Sequence, residues 1–392
     1  MKILLIHNEY QQRGGEFQAV KNQIDLLISH GYQVVQYIQD NRLIDSFSRF
    51  QLVSALPKSI YSKSSYEDIQ GIIEREKPDL AHVHNVFPLI SPSIYHAINS
   101  VSIPIIQTVH NFRFLCPNGL FFIDDKPCEM CKHGNTSYAI LKKCYKESLG
   151  LSALYAISIG SNRLAKTFDL VDKFIALTEF SARKMIESRL TIRNKIAVLG
   201  NFIPDPLPGM GKEESREDYV VYIGRLSTEK GVRILLEAGK LLTSTKILVI
   251  GSGPDFSYLQ NIIDVEGLGN INLLGPIHGE KKWDYLRKAS AVIIPSICYE
   301  TFSIAAIEAM SVGTPVIASR LGSLPFVIED GISGILFEPG DSEDLADKIT
   351  QLINKPDLFL ELGINGRKVV EQKYCQESHF EKLNNIYLET LN

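Results

Sequence analysis

Short runs of Val, Ile and Leu recur along the chain, separated by longer stretches whose apolar positions fall three and four residues apart. In the first half the runs are KILLIH (2–7), QVVQYI (33–38), DLAHVH (79–84), PIIQTV (104–109), KFIAL (173–177) and KIAVL (195–199). In the second they are YVVYIG (219–224), KILVIG (246–251), INLLG (271–275), AVIIP (291–295) and PVIAS (315–319). Most are continuous rather than alternating, the pattern of parallel strands buried on both faces. Stretches such as GGEFQAVKNQIDLLISHG (14–31) have helical spacing and end in glycine. The alternation predicts an α/β chain of parallel sheets covered by helices. It pauses at GNFIPDPLPGMGKEESRED (200–218), which is rich in Pro, Gly and charge, lacks periodicity and reads as a linker. The expected organisation is two Rossmann-like, doubly wound domains, 1–200 and 219–375, with a linker at 201–218 and a terminal helix at 376–392.

Composition narrows the class. The chain has 392 residues, 45% hydrophobic and 22% charged, an ordinary globular balance. No apolar run reaches the roughly 18–20 residues that span a bilayer, and MKILLIHNEY has too short an apolar core for a signal peptide. These features predict a cytoplasmic protein whose six cysteines stay reduced or hold a metal. Net charge is −4. Residues 1–200 carry 23 Lys and Arg against 18 Asp and Glu, whereas the remainder carries 18 against 27. The basic first half suits an anionic partner such as a phospholipid surface or lipid phosphate, or else reflects solvated faces. It does not resemble the strongly basic face of a nucleic-acid binder.

In doubly wound sheets ligands bind beyond the carboxyl ends of the strands, so the residues there are the candidates. Arg225 and Lys230 follow 219–224 in GRLSTEKG, two cations suited to a phosphate or diphosphate. The pair in GSGP, including Gly253, permits a tight turn and close backbone approach. It is not the dinucleotide fingerprint, because Phe256 holds the third glycine's place. Gly14 and Gly15 precede a long helix whose amides suit a phosphate, or simply form a turn. His110 follows 104–109 and is either cleft-facing or a hydrogen-bonded structural histidine. In CYETFSIAAIEAM, Glu300 lies in a turn and Glu308 eight positions on, inside a predicted helix starting near Phe302 or Ser303. At ~1.5 Å per residue the two carboxylates stand on the order of 10 Å apart. Carboxylates accept from hydroxyls and helix amides bind anions, so the element matches a ligand with two polyol ends joined by a diphosphate.

Taken in order, the Gly-Gly turn at 14–15, TVH at 108–110, GRLSTEKG at 224–231, GSGP at 251–254, PSICYETFSIAAIEAMSVGTPVIAS at 295–319 and DGISGILFEPGD at 330–341 resemble the retaining GT-B glycosyltransferases of glycosyltransferase family 4 over nearly the whole chain. The resemblance implies two Rossmann-like domains facing across a cleft, with the terminal helix crossing back to the first. It implies a nucleoside-diphosphate sugar donor held mainly by the second domain and a saccharide or lipid-linked acceptor. Arg225 and Lys230 would bind the diphosphate, Glu308 the ribose and Glu300 the transferred sugar. Amides near Phe302, Ser303 and Ile304 would reach sugar and phosphate, Gly15 the phosphate, and His110 the sugar near its reacting carbon. The chain departs from the family at Thr301 and Ser303, where glycines are common, at Phe326, where a glutamate is common, and at Glu16, which follows the glycine pair directly. Cations and helix amides can stabilise a diphosphate leaving group without a divalent metal, and no Asp-x-Asp stands at a strand end. The expected chemistry is retaining, metal-independent hexosyl transfer in surface polysaccharide synthesis, with no catalytic cofactor.

Four cysteines, Cys116, Cys128, Cys131 and Cys144, share an insertion at 116–144, a feature of some members resembling this chain. They form a structural zinc site or remain four reduced thiols. The segment 138–166 mixes basic and apolar residues; it reads as a domain helix or as a peripheral membrane contact. A nucleotide-sugar epimerase of the same layout is the alternative function. An NAD oxidoreductase lacks its fingerprint, and a further class is a non-catalytic scaffold that uses the cysteine insertion for protein contacts, which donor hydrolysis or transfer assays with an Arg225→Ala variant would separate from an enzyme.

Overall fold

The computed structural model describes residues 1–9, 14–40, 57–87, 89–204 and 216–392. They form two compact units: Met1–Phe121, Cys128–Gly200 and His379–Asn392 in the first, Phe122–Pro127 and Asn201–Ser378 in the second. Most of the expected linker, residues 205–215, lies outside the described residues.

The first sheet uses β1 (Lys2–Glu9), β2 (Gln33–Asp40), β3 (Leu80–Asn85) and β4 (Ile105–Val109). A short antiparallel hairpin follows, β5 (Phe122–Ile123) with β6 (Lys126–Pro127), and then the sheet continues with β7 (Lys173–Ala176) and β8 (Ile196–Val198). Its order is β2-β1-β3-β4-β7-β8, all parallel. Ile3, Leu4, Leu5 and Ile6 are each 0% exposed, so β1 is covered on both faces, as its unbroken apolar run requires. On one face Ile3, Leu80 and Ile106 pack with Leu27 of the helix Gly15–Ser29 and with Leu383, Ile386 and Tyr387 of the terminal helix Gln376–Leu391.

The second sheet uses β9 (Tyr219–Ile223), β10 (Lys246–Ile250), β11 (Ile271–Gly275), β12 (Ala291–Ile294), β13 (Val316–Ser319) and β14 (Ile335–Phe337). Its order is β11-β10-β9-β12-β13-β14, again all parallel. The winding reverses between β9 and β12, and at such a switch point the two flanking turns diverge and leave a crevice. Arg216 anchors the entry to β9. Its guanidinium donates to the carbonyls of Arg287 and Ala289 at 3.1 Å, to Thr314 Oγ1 at 2.8 Å and to Gly313 O at 2.7 Å. Its flat face lies 4.4 Å from the Phe359 ring centroid, which suits a planar cation.

Candidate functional site

The turns at the β9/β12 switch point are pressed against backbone. β9 leads through Gly224 and Arg225 into a single 3-10 turn, Thr228–Lys230, and then the helix Val232–Leu241. Gly231 has φ +72, and a Cβ there would stand 1.7 Å from the Pro295 carbonyl oxygen. A Cβ at Gly253 would stand 2.2 Å from the Leu226 carbonyl oxygen, which explains the glycine in GSGP: two turns meet backbone to backbone.

Within this frame Lys230 Nζ donates to Glu300 Oε1 at 2.7 Å, and Ser296 Oγ donates to the same oxygen at 2.6 Å. Burial works against the Lys230 charge, but the Glu300 carboxylate outweighs it and lifts the ammonium above its ordinary value. The sequence placed these two residues on different parts of a ligand; here they neutralise each other. Ser296 is a partner the sequence reading missed. Arg225 is exposed, and its carbonyl accepts from the Tyr222 hydroxyl at 2.6 Å.

The second carboxylate is paired too. The helix Ile304–Ser311 opens just after Ser303, whose Oγ accepts from the Ala306 amide at 3.3 Å. Phe302 is 7% exposed and meets Tyr374 edge-on at 5.5 Å. Glu308 Oε1 accepts from Lys282 Nζ at 2.5 Å, and the two side chains are 15% and 21% exposed. Lys282 lies in the charged helix Glu280–Lys288, where nothing in the sequence separates it from its neighbours.

In the first unit, Gly14 is the extended N-cap residue of the helix Gly15–Ser29, which has no side-chain cap. His110 follows β4 and joins a stack of imidazoles. His84 Nδ1 and His110 Nε2 are 2.9 Å apart, with ring centroids at 5.1 Å, and His82 stacks on His84 at 4.4 Å. Burial pushes His7 down to about 4 and His82 and His110 to about 3, with neighbouring imidazoles adding to the last two. Burial and the surrounding rings hold His84 well below its ordinary value. Glu16 Oε2 accepts from Asn111 Nδ2 at 3.1 Å. Its Oε1 lies 4.0 Å from His7 Nδ1, and neither Glu16 Oε1 nor either His7 ring nitrogen finds a hydrogen-bond partner among the described residues. Burial raises the Glu16 carboxyl to about 7 against the lowering pull of Asn111 and Arg113. The alternating histidines of DLAHVH were the available sign of this cluster.

The four insertion cysteines are neighbours. Burial first, then the adjacent Cys116, Cys144 and Cys128, push the Cys131 thiol up to about 12. Among the described residues no three His, Cys, Asp or Glu side chains are gathered closely enough to hold a metal ion. Cys116 Sγ instead donates to Asn118 Oδ1 at 3.0 Å.

Residues 210–369 match the family described as Glycosyl transferases group 1. An uncharacterized glycosyltransferase of Methanocaldococcus jannaschii is 26% identical over 99% of this chain and 98% of its own. A capsular polysaccharide biosynthesis glycosyltransferase of Staphylococcus aureus is 30% identical over 54% of this chain and 60% of its own. The crystal structure of HepE from Anabaena in complex with UDP superposes with a TM-score of 0.68 at 18% identity, covering 99% of this chain and 100% of that one.

Proposed function

From a chain with the GT-B fold, glycosyltransferase homologues and a glycosyl transferase group 1 domain in its second half, we propose retaining, metal-independent transfer of a hexose-type sugar from a nucleoside-diphosphate sugar to a hydroxyl of a saccharide or lipid-linked saccharide, in surface polysaccharide synthesis. The observation that carries this reading is the Lys230–Glu300–Ser296 set at the second sheet's switch point. A diphosphate entering there competes with Glu300 for the ammonium. Lys230 turns to the phosphate, and the released carboxylate accepts from hydroxyls of the transferred sugar. Glu308, already oriented by Lys282, takes the ribose hydroxyls. As the sugar–phosphate bond breaks, negative charge accumulates on the diphosphate, where Arg225, Lys230 and the amides around Phe302, Ser303 and Ile304 stabilise it. The acceptor hydroxyl attacks the same face, and its proton passes to the departing phosphate. The bound UDP in the Anabaena structure supports a nucleoside diphosphate as the common donor part.

The test is a donor screen with product analysis in the presence of a chelator. Arg225→Ala is expected to lower turnover by about 100-fold, the size of effect seen when one transition-state donor is removed. Inversion at the anomeric carbon, or activity abolished by chelation, would sink the mechanism. Two parts of the proposal have tests of their own. The helix Leu149–Leu164 exposes Leu149 (57%), Ile157 (39%) and Leu164 (88%) on one side, a stripe suited to resting on an anionic bilayer; failure to co-sediment with anionic vesicles removes that contact. No helix among the described residues is long and apolar enough to cross a membrane. Structural zinc on the four cysteines requires the thiols to draw together, and clearly substoichiometric zinc in unchelated protein removes it.

A further inference from the structure

Lys230 and Ser296 reach Glu300 from two abutting turns. The Ile297 amide donates to the Glu229 carbonyl at 3.0 Å, which joins the turn carrying Lys230 to the stretch that follows Ser296. Both side chains donate to the same carboxylate oxygen, Oε1, Lys230 at 2.7 Å and Ser296 at 2.6 Å. The second oxygen, Oε2, is left to a ligand.

The two donors differ in freedom. An ammonium on a flexible four-carbon stem can rotate to a new partner. Ser296 is 1% exposed, and its backbone is braced: Ser319, the last residue of β13, donates from Oγ to the Ser296 carbonyl at 2.5 Å. Glu300 is braced by the same neighbouring loop. The Ser323 amide donates to the Glu300 carbonyl at 3.2 Å, and a Cβ at Gly322, where φ is +61, would stand 3.0 Å from the Glu300 nitrogen. Hydroxyl and carboxylate thus stand on one supported stretch, and the bond between them does not depend on Lys230. The Glu300 side chain is only 11% exposed, so once the ammonium has left, the carboxylate depends on its remaining donor. A hydroxyl on an ionised carboxylate is among the stronger hydrogen bonds.

We infer that Ser296 is a positioning residue: it keeps hold of Glu300 Oε1 when Lys230 leaves for the diphosphate, so that Glu300 meets the transferred sugar through Oε2 in a fixed orientation, a role that rests on the proposed function for its ligand. Diphosphate binding and sugar binding are thereby separated. Lys230 serves the first and Ser296, acting through Glu300, the second.

The experiment measures binding to the full chain by isothermal titration calorimetry. The probes are UDP and UDP-glucose, or GDP and GDP-mannose should the donor screen select guanosine. The readout is the ratio of the two dissociation constants, sugar nucleotide over nucleotide. Ser296→Ala is expected to raise this ratio about tenfold, the size of one hydrogen bond to a charged group, with nucleotide affinity unchanged. Glu300→Gln turns an amide NH₂, which only donates, toward the sugar. In that background Ser296→Ala is expected to change the ratio no further. Should Ser296→Ala not fold, Ser296→Cys, whose thiol donates weakly, carries the test. Equal losses for both probes, or the same loss with and without Glu300, would show that Ser296 merely supports the turn and overturn the inference while the proposed function stands. An unchanged ratio overturns it as well. A wild type that binds none of the probes sinks the proposed function and this role together.

Discussion

Glu16 and Lys282 show how much a single side chain's surroundings decide. The Glu16 side chain is 14% exposed, and its carboxyl is lifted from 4.5 to about 7, chiefly by burial. Below pH 4.5 the folded and unfolded states are both protonated there, and the group does not affect stability. As pH rises to 7 the unfolded chain ionises freely while the folded one resists, so stability is lost across that interval. A shift of this size is worth about 3 kcal/mol. Glu16→Gln is therefore expected to be more stable than the wild type by about 2–3 kcal/mol at pH 8 and nearly equal to it at pH 4, as urea unfolding at the two pH values would show. Equal effects at both would mean that the carboxyl is not held protonated. At Lys282 the argument runs through its partner. Removing the ammonium leaves Glu308 without the charge that orients it, and the loss of one such interaction is about tenfold in affinity. Lys282→Ala is expected to raise donor KM by about that factor with kcat little changed, in steady-state assays. A fall in kcat alone would place Lys282 elsewhere in the mechanism.

At the scale of elements, tight backbone contact at the turns sets which glycines are replaceable. Gly231 and Gly267 both end a helical turn in the left-handed region, at φ +72 and +67. Nothing lies within 4 Å of a Cβ at Gly267, whereas one at Gly231 would overlap the Pro295 carbonyl. Gly267→Ala carries only the left-handed backbone cost, about 1 kcal/mol. Gly231→Ala must also move β12 away from the turn, and the expected loss is about 3 kcal/mol or more. Chemical unfolding followed at Trp283, which lies in the same unit, would compare them; equal losses would remove the close approach from the explanation. The same elements show what the sequence could reveal. The strands were legible because continuous Val, Ile and Leu runs such as KILVIG belong only where both faces are covered. The glycine turns and the Glu300 segment were legible because their residue types have few uses in that order. The Lys282–Glu308 pair was not: it joins two helices 26 positions apart, and one lysine among EKKWDYLRK carries no mark of its partner. The histidine stack was half legible, its alternation visible in DLAHVH but its closure around His82, by Gln23 at 3.0 Å and by Thr108 and Tyr387 at 2.7 Å, dependent on how three other elements pack.

Over the whole molecule, the two units differ in how they meet acid. The described histidines divide unevenly: His7, His82, His84 and His379 are buried and His110 is half-buried in the first unit, while the second contains only His278. Burial lowers His7 and His379 to about 4 and His82 and His110 to about 3, with the Lys382 charge also acting on His379. In the unfolded chain each titrates near 6.5. Below that pH the unfolded state binds more protons, so the stability these rings contribute is full above 6.5 and drains away as pH falls toward 4 and 3. A shift of two and a half units is about 3 kcal/mol per ring, and although coupled rings do not add, several together outweigh the single opposing slope of Glu16. The second unit has no such group. Its Asp330 is held below the usual carboxylate range by Arg320 against the pull of burial, so its contribution is lost only at lower pH. Acidification is therefore expected to unfold the first unit near pH 5 while the second persists toward the carboxylate range. The chain has one tryptophan, Trp283, in the second unit, so its emission reports that unit alone and far-UV circular dichroism reports both. The expected result is a dichroism transition at higher pH than the fluorescence transition. Coincident transitions would mean that the units unfold together and that the buried histidines act on the molecule as one.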